Sequence, residues 1–133
     1  QWIVDSESQT LRESWMTTKY AAREKSRAFA LRMIKVYQYL QEQKREYILS
    51  KQLLRSGTAI GALVREAEQA ESRADFVHKL SIALKEANET EYWLELLTES
   101  GYLEPSSGQS VMADAKELLK ILTAIIKTTK TRR

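Results

Sequence analysis

Cysteine is absent from this chain of 133 residues, histidine and proline occur once each, and glycine four times. Each shortage removes a class of protein. Without cysteine there is no disulfide framework and no thiolate metal site, and nothing marks an oxidising compartment. A single histidine cannot build a metal site that needs two or three. So few glycines and prolines argue against an all-β chain of tight turns, and against a Gly-rich phosphate loop. Long apolar runs are missing too, since none nears the ~20 residues of a membrane span. Asp5 and Glu7 interrupt the start and no apolar stretch follows, so no signal peptide is expected. Gln1 in place of an initiating Met points to a trimmed or partial chain. What remains is 43% apolar and 29% charged. That balance suits a soluble, cytoplasmic, mostly helical protein with one core.

The net charge of +3 conceals a stronger pattern. Residues 1–22 sum to −1, 23–70 to +5, 71–110 to −5 and 111–133 to +4. Charge alternates by segment, so some complementarity between segments is expected.

Apolar residues recur at helical spacing in four stretches. Ala30, Met33, Tyr37 and Leu40 step by three and four, with Phe29, Ile34 and Val36 widening the stripe. Leu49, Leu53, Ser56, Ile60, Leu63, Ala67 and Ala70 form a second seam. Phe76, Leu80, Ala83, Ala87, Thr90, Leu94 and Leu97 form a third, and Val111, Ala115, Leu118, Leu122 and Ile125 a fourth. Breaks fall near 43–46, at Ser72 with Asp75 as a capping box, and over 101–110. In the last break Gly101 suits the position after a helix, Pro105 is read as a stop, and Ser107 or Ser110 as the next cap. Four long helices with short connections predict an all-α, antiparallel up-down-up-down four-helix bundle. The bundle is placed at residues 23–130. Residues 1–22 form an N-terminal extension, a candidate helical arm in which Trp2, Ile3, Leu11, Trp15 and Met16 require a partner, and 131–133 form a basic tail.

Gly57 and Gly61 lie four apart on one face of the second helix. Their spacing fits neither nucleotide fingerprint, so close helix packing is expected there. The surrounding residues resemble a known family. Gln52-Leu53-Leu54-Arg55-Ser56-Gly57-Thr58, Ile60-Gly61-Ala62, Glu66-Ala67, Asp75-Phe76 and Lys79-Leu80 carry the likeness. So do Ile82-Ala83-Leu84-Lys85-Glu86, Glu89-Thr90, Tyr92-Trp93-Leu94 and Gly101-Tyr102. Over residues 23–127 the chain is similar to the four-helix-bundle proteins encoded in intervening sequences of bacterial 23S rRNA genes. These are in turn related to the accessory variability protein of diversity-generating retroelements. The resemblance implies a bundle assembled as a homopentamer, with no established enzymatic activity and no cofactor. It further implies nucleic acid, RNA or DNA, and a reverse transcriptase or other protein as partners. Leu63 stands where the family usually has Asn, and Ala59 where Ser is common, which makes this face more apolar.

On the third helix a flanking stripe runs Ile82, Glu86, Glu89, Trp93 and Leu96. Ile82, Trp93 and Leu96 read as a subunit contact with Trp93 as anchor; the other reading has Trp93 capping the core of its own bundle. Glu66, Glu86 and Glu89 invite comparison with di-iron bundles, and Asp75-Phe76-Val77-His78 has the i, i+3 ligand spacing. His78 has no second histidine to join it, so neither a metal site nor a catalytic carboxylate pair is expected. Ion pairs with Arg55, Arg65 or Lys79 explain these acids better.

The fourth helix presents Lys116, Lys120, Thr123, Lys127 and Lys130 along one stripe, followed by Arg132 and Arg133. The stripe is either a solvated face or a ridge that contacts phosphates. Arg23, Lys25, Arg27 and Arg32 are secondary candidates for the same role. No aromatics interleave with the lysines, so base readout is not indicated. The reading is a non-enzymatic oligomeric scaffold or accessory protein that binds nucleic acid, RNA before DNA, through a basic surface. The alternative is a structural or protein-interaction module whose basic stripe only maintains solubility. The acidic third helix would face basic helices either in a neighbouring subunit or within its own bundle.

Overall fold

A computed structural model describes residues 6–132, apart from the side chains of residues 6–8 and 11. Trp2, Ile3 and Arg133, and the side chain of Leu11, lie outside the described residues. Four helices follow one another: α1 (Ser6–Glu42), α2 (Leu49–Ala67), α3 (Arg73–Glu99) and α4 (Pro105–Thr131). The described residues contain no strand. Each helix packs on its neighbours in the chain and α1 closes against α4, while the backbones of diagonal helices do not approach. Cross-helix partners run in opposite senses. Arg32 meets Asp114 where Lys25 meets Glu117, and Arg55 meets Glu86 where Lys79 meets Glu66. The bundle is therefore antiparallel, as the short connections require.

The core is a column of side chains from all four seams. Met33 and Leu40, Leu53 and Ile60, Leu80, Leu94 and Leu97, and Leu118, Leu122 and Ile125 are fully enclosed. Each such side chain contributes about 1.5–3 kcal/mol of transfer free energy. On α1 the buried seam is Ala22, Ser26, Phe29, Met33 and Leu40. Met33 and Leu40 of the expected seam are buried together with Phe29, whereas Ala30 and Tyr37 sit at its margin and Ile34 faces outward. Apolar residues flank the stripe on both sides there, so periodicity alone does not fix its centre. On α2, Val64 rather than Leu63 completes the seam.

The glycines of α2 face α1. A Cβ on Gly61 would lie 3.2 Å from the Ser26 carbonyl oxygen, and one on Gly57 would collide with the buried Met33 side chain. Close approach of the α1 backbone thus accounts for Gly61, and the Met33 side chain seated against α2 accounts for Gly57.

Helix ends bring two results. Ser72 caps α3 by accepting from the Asp75 N–H at 3.0 Å, and Gly101 at φ +88° ends that helix. By contrast α4 begins at Pro105, with Glu104 at the cap position and no side-chain cap bond. Ser107 and Ser110 lie inside the helix and do not cap it. Proline suits the first helical position, where its missing N–H has no intrahelical partner to lose. No break marks residue 22 either. With no glycine or proline before Gly57, α1 runs through it, and at 37 residues is about 55 Å long.

Candidate functional site

Charge on the described surface divides into neutralised and free groups. Lys25 Nζ meets Glu117 at 2.7 Å, and Arg32 meets Asp114 at 2.6 Å while also donating to the Ser110 hydroxyl at 2.8 Å. Arg23 reaches Glu68 at 3.6 Å. Three of the secondary candidates are thus balanced by carboxylates of their own chain, and Arg27 alone among the four is not. These are exposed pairs, worth about 0–1 kcal/mol each, but their charge is offset where a ligand would need it.

Lys116, Lys120, Lys127 and Lys130 differ. All four are exposed on α4, and none has a carboxylate partner among the described residues. Lys116 to Lys130 spans about 21 Å along the axis. Arg132 follows at the helix end, its guanidinium 4.1 Å from the centroid of the Trp15 ring.

The third-helix stripe is engaged within its own chain. Arg55 of α2 bridges Glu86, at 3.2 Å, and Glu89. Both carboxylates hold the guanidinium protonated above its usual range, against the opposing effect of burial. Glu89 is held below the usual carboxylate range, first by the Trp93 indole N–H, which donates at 3.0 Å, and then by Arg55. Lys79 pairs with Glu66 at 3.1 Å, while Arg65 is exposed without a carboxylate partner among the described residues. Trp93 is half-buried against the core, 5.2 Å from the exposed Tyr92 ring. Ile82 and Leu96 flank the core half-buried and do not join it. Among the described residues no cluster of three or more His, Asp or Glu side chains could hold a metal ion. His78 is exposed.

Two features were not foreseen from the sequence. Glu46 is buried in the α1–α2 turn and accepts N–H bonds from Ile48, Leu49 and Ser50, the shortest at 2.7 Å. It supplies the cap that Ile48, at the cap position, cannot. The other is the partner of Trp15. Its ring packs 6.5 Å from Phe76 of α3, with Lys19 Nζ 4.2 Å from its centroid and Arg132 on α4 nearby. The Trp15–Lys19 spacing of four was a local signal; Phe76 and Arg132 required the tertiary fold.

A sequence model of the 23S rRNA-intervening sequence protein family matches residues 18–124. The chain belongs to this family. Among solved structures it is similar to a protein of unknown function from the S23 ribosomal protein family of Bacteroides thetaiotaomicron. The two share 52% identity with a TM-score of 0.82, over 83% of this chain and 98% of that one. No curated protein matches. The family match begins after Trp15 and ends before Lys127, so Arg12, Trp15, Lys127, Lys130 and Arg132 all lie outside it. No described helix is long and apolar enough to cross a membrane.

Proposed function

We propose that this member of the 23S rRNA-intervening sequence family is a non-enzymatic, self-assembling bundle that binds nucleic acid through its basic surface. It acts in the cytoplasm, with RNA as the preferred ligand. The observation that carries the reading is the contrast on α4. Asp114 and Glu117 neutralise α1, whereas Lys116, Lys120, Lys127 and Lys130 keep their charge. Four free lysines along ~21 Å suit a phosphate backbone, which rewards charge and needs no base-specific groups.

Assembly multiplies that ridge. A monomer of net charge +3 binds weakly, and a ring of subunits repeats the stripe around an axis. Ile82 and Leu96, half-buried on α3 and outside the core, offer the contact, and the family resemblance supplies the number five. Of the acids on the third helix, Glu86 and Glu89 pair with Arg55 of the same chain, while Glu91, Glu95 and Glu99 have no ion-pair partner among the described residues. The unpaired acids and these apolar groups therefore both favour assembly. Trp93 belongs partly to its own core, which makes Ile82→Glu the cleaner disrupting variant. A reverse transcriptase or other protein would dock on the same assembly.

Anisotropy with a labelled RNA should show binding that weakens steeply as salt rises from about 50 to 200 mM. Light scattering should give an oligomer that Ile82→Glu dissociates while helicity persists. Absence of binding at low salt would favour the second reading, a protein-interaction module. The exposed Tyr20, Leu31 and Ile34 on α1 are the observation in its favour.

A further inference from the structure

One end of the bundle gathers cations that form no ion pairs among the described residues. Arg12 and Lys19 come from α1, Arg73 opens α3, and Arg132 closes α4. None has a carboxylate partner among the described residues. What holds them is aromatic and backbone. Lys19 and Arg132 sit 4.2 and 4.1 Å from the centroid of one indole, Trp15, and Lys19 is 5.2 Å from the Phe76 ring. Arg73 donates to the Arg132 carbonyl and ties the end of α4 to the start of α3. Nearby acids are otherwise engaged: Glu13 accepts from Gln9 at 3.1 Å, and Asp75 from the Glu71 N–H at 3.3 Å.

The physical difference from the rest of the surface is the kind of support. A carboxylate neutralises a cation and occupies its donors. An aromatic face attracts it by about 0.5–2 kcal/mol and leaves both charge and N–H groups in place. Trp15 therefore holds two positive groups, each about 4 Å from its centroid and so within roughly 8 Å of one another, with no carboxylate paired to either among the described residues. The Trp15 Nε1 is itself buried and without a hydrogen-bond partner among the described residues, an unsatisfied donor of the kind that costs about 1–3 kcal/mol. Alongside lies a groove of about 710 Å³, lined by Arg12, Trp15, Thr18, Thr128, Thr131 and Arg132 among others.

We infer that this end of the bundle is a phosphate-binding site that seizes the backbone of a nucleic-acid strand, with Arg12, Lys19, Arg73 and Arg132 as its cations. The inference rests on the nucleic-acid reading above and gives it a location separate from the Lys116–Lys120 end of the ridge. Phosphate oxygens accept several N–H donors at once and favour guanidinium forks, two of which, Arg12 and Arg132, line the groove, with Arg73 beside Arg132. The indole is already engaged by two cations, so the site offers charge rather than a stacking surface for a base.

The test compares full-length variants by anisotropy with a labelled single-stranded RNA at about 50 mM salt. Arg12→Gln with Arg132→Gln should weaken binding at least tenfold and lower the salt slope by about 1.5. Lys51→Gln with Lys85→Gln, which removes the same charge elsewhere, should weaken it less than threefold. Trp15→Leu leaves the formal charge unchanged and should still weaken binding severalfold, with circular dichroism confirming the bundle. Equal losses in the two charge pairs, or equal affinity for a polyglutamate of matched charge, would overturn the site. If wild-type protein binds, and Lys116→Gln with Lys120→Gln weakens it while the Arg12/Arg132 pair does not, the site fails and the nucleic-acid reading stands. If wild-type protein binds no strand, both fail.

Discussion

The hydroxyls of Ser56 on α2 and Thr90 on α3, both fully buried, meet at 2.9 Å between the two helices. Thr90 also reaches the Glu86 carbonyl at 2.7 Å, within its own helix. The pair joins two helices in one register, because a slip along either axis would break this cross-helix contact and leave each hydroxyl only its bond within its own helix. Arg55, one residue before Ser56, reaches Glu86 and Glu89 on the same stretch of α3. A buried polar contact and a surface ion pair thus specify one alignment.

Thr90→Val should destabilise the bundle by about 0.5–1.5 kcal/mol, since it removes the cross-helix partner of the Ser56 hydroxyl and leaves it only the 3.4 Å contact to the Leu53 carbonyl. The double variant Ser56→Ala, Thr90→Val should cost less than the sum of the two single changes. Urea unfolding of the four proteins measures the coupling. Strict additivity would show that the hydroxyls act independently.

Glu46 sets the acid limit of the α1–α2 turn. Burial pushes its carboxyl up, but N–H bonds from Leu49, Ser50 and Ile48 outweigh that effect and hold it below the usual range. A depressed folded-state value means the stabilisation is complete above the unfolded value, about 4.3, and is lost as pH falls through the folded one. Glu46→Gln should therefore cost about 0.5–2 kcal/mol at neutral pH. The variant should also lose less stability than wild type on acidification below about pH 4. Parallel unfolding curves at pH 7 and pH 3 provide the check.

Gly61 and Gly101 should respond to substitution for different reasons. Alanine at Gly61 improves helix propensity by about 1 kcal/mol, yet places a Cβ 3.2 Å from a backbone oxygen of α1. That neighbour moves only with its helix, so a net loss in melting temperature is expected, larger for Gly61→Ser. At Gly101 nothing lies within 4 Å, and the cost arises from φ +88°. Gly101→Asn should accordingly be milder than Gly101→Ala. Similar melting for these two variants would remove conformation as the cause.

Long-period patterns were legible in the sequence. Four seams, three breaks and the Ser72 and Gly101 helix ends follow from spacing and from residues with one clear local role. Choices between adjacent residues were not. Phe29 displaced Ala30 at the centre of the α1 seam because both fit the period and only packing on the other helices separates them. Pro105 began a helix instead of stopping one, because the same missing N–H serves either role. Segmental charge was visible as well, but its partners were not. Only the fold shows that Arg32 faces Asp114 and Arg55 faces Glu86 within one chain. The basic surface is therefore what remains after those pairs are removed. Its Trp15 end stayed hidden because Arg132 lies at the opposite end of the sequence.

The unbroken α1 makes the molecule mechanically continuous. From Trp15 to Glu42 the helix is a strut of about 40 Å, with neither proline nor glycine to act as a hinge. It is pinned midway by Lys25 and Arg32 to α4, and it ends at the turn that Glu46 closes. A load applied at the Trp15 end cannot be absorbed by bending and must be borne along the whole α1–α4 contact. Whatever docks at that end pulls on the entire bundle rather than on a loose arm.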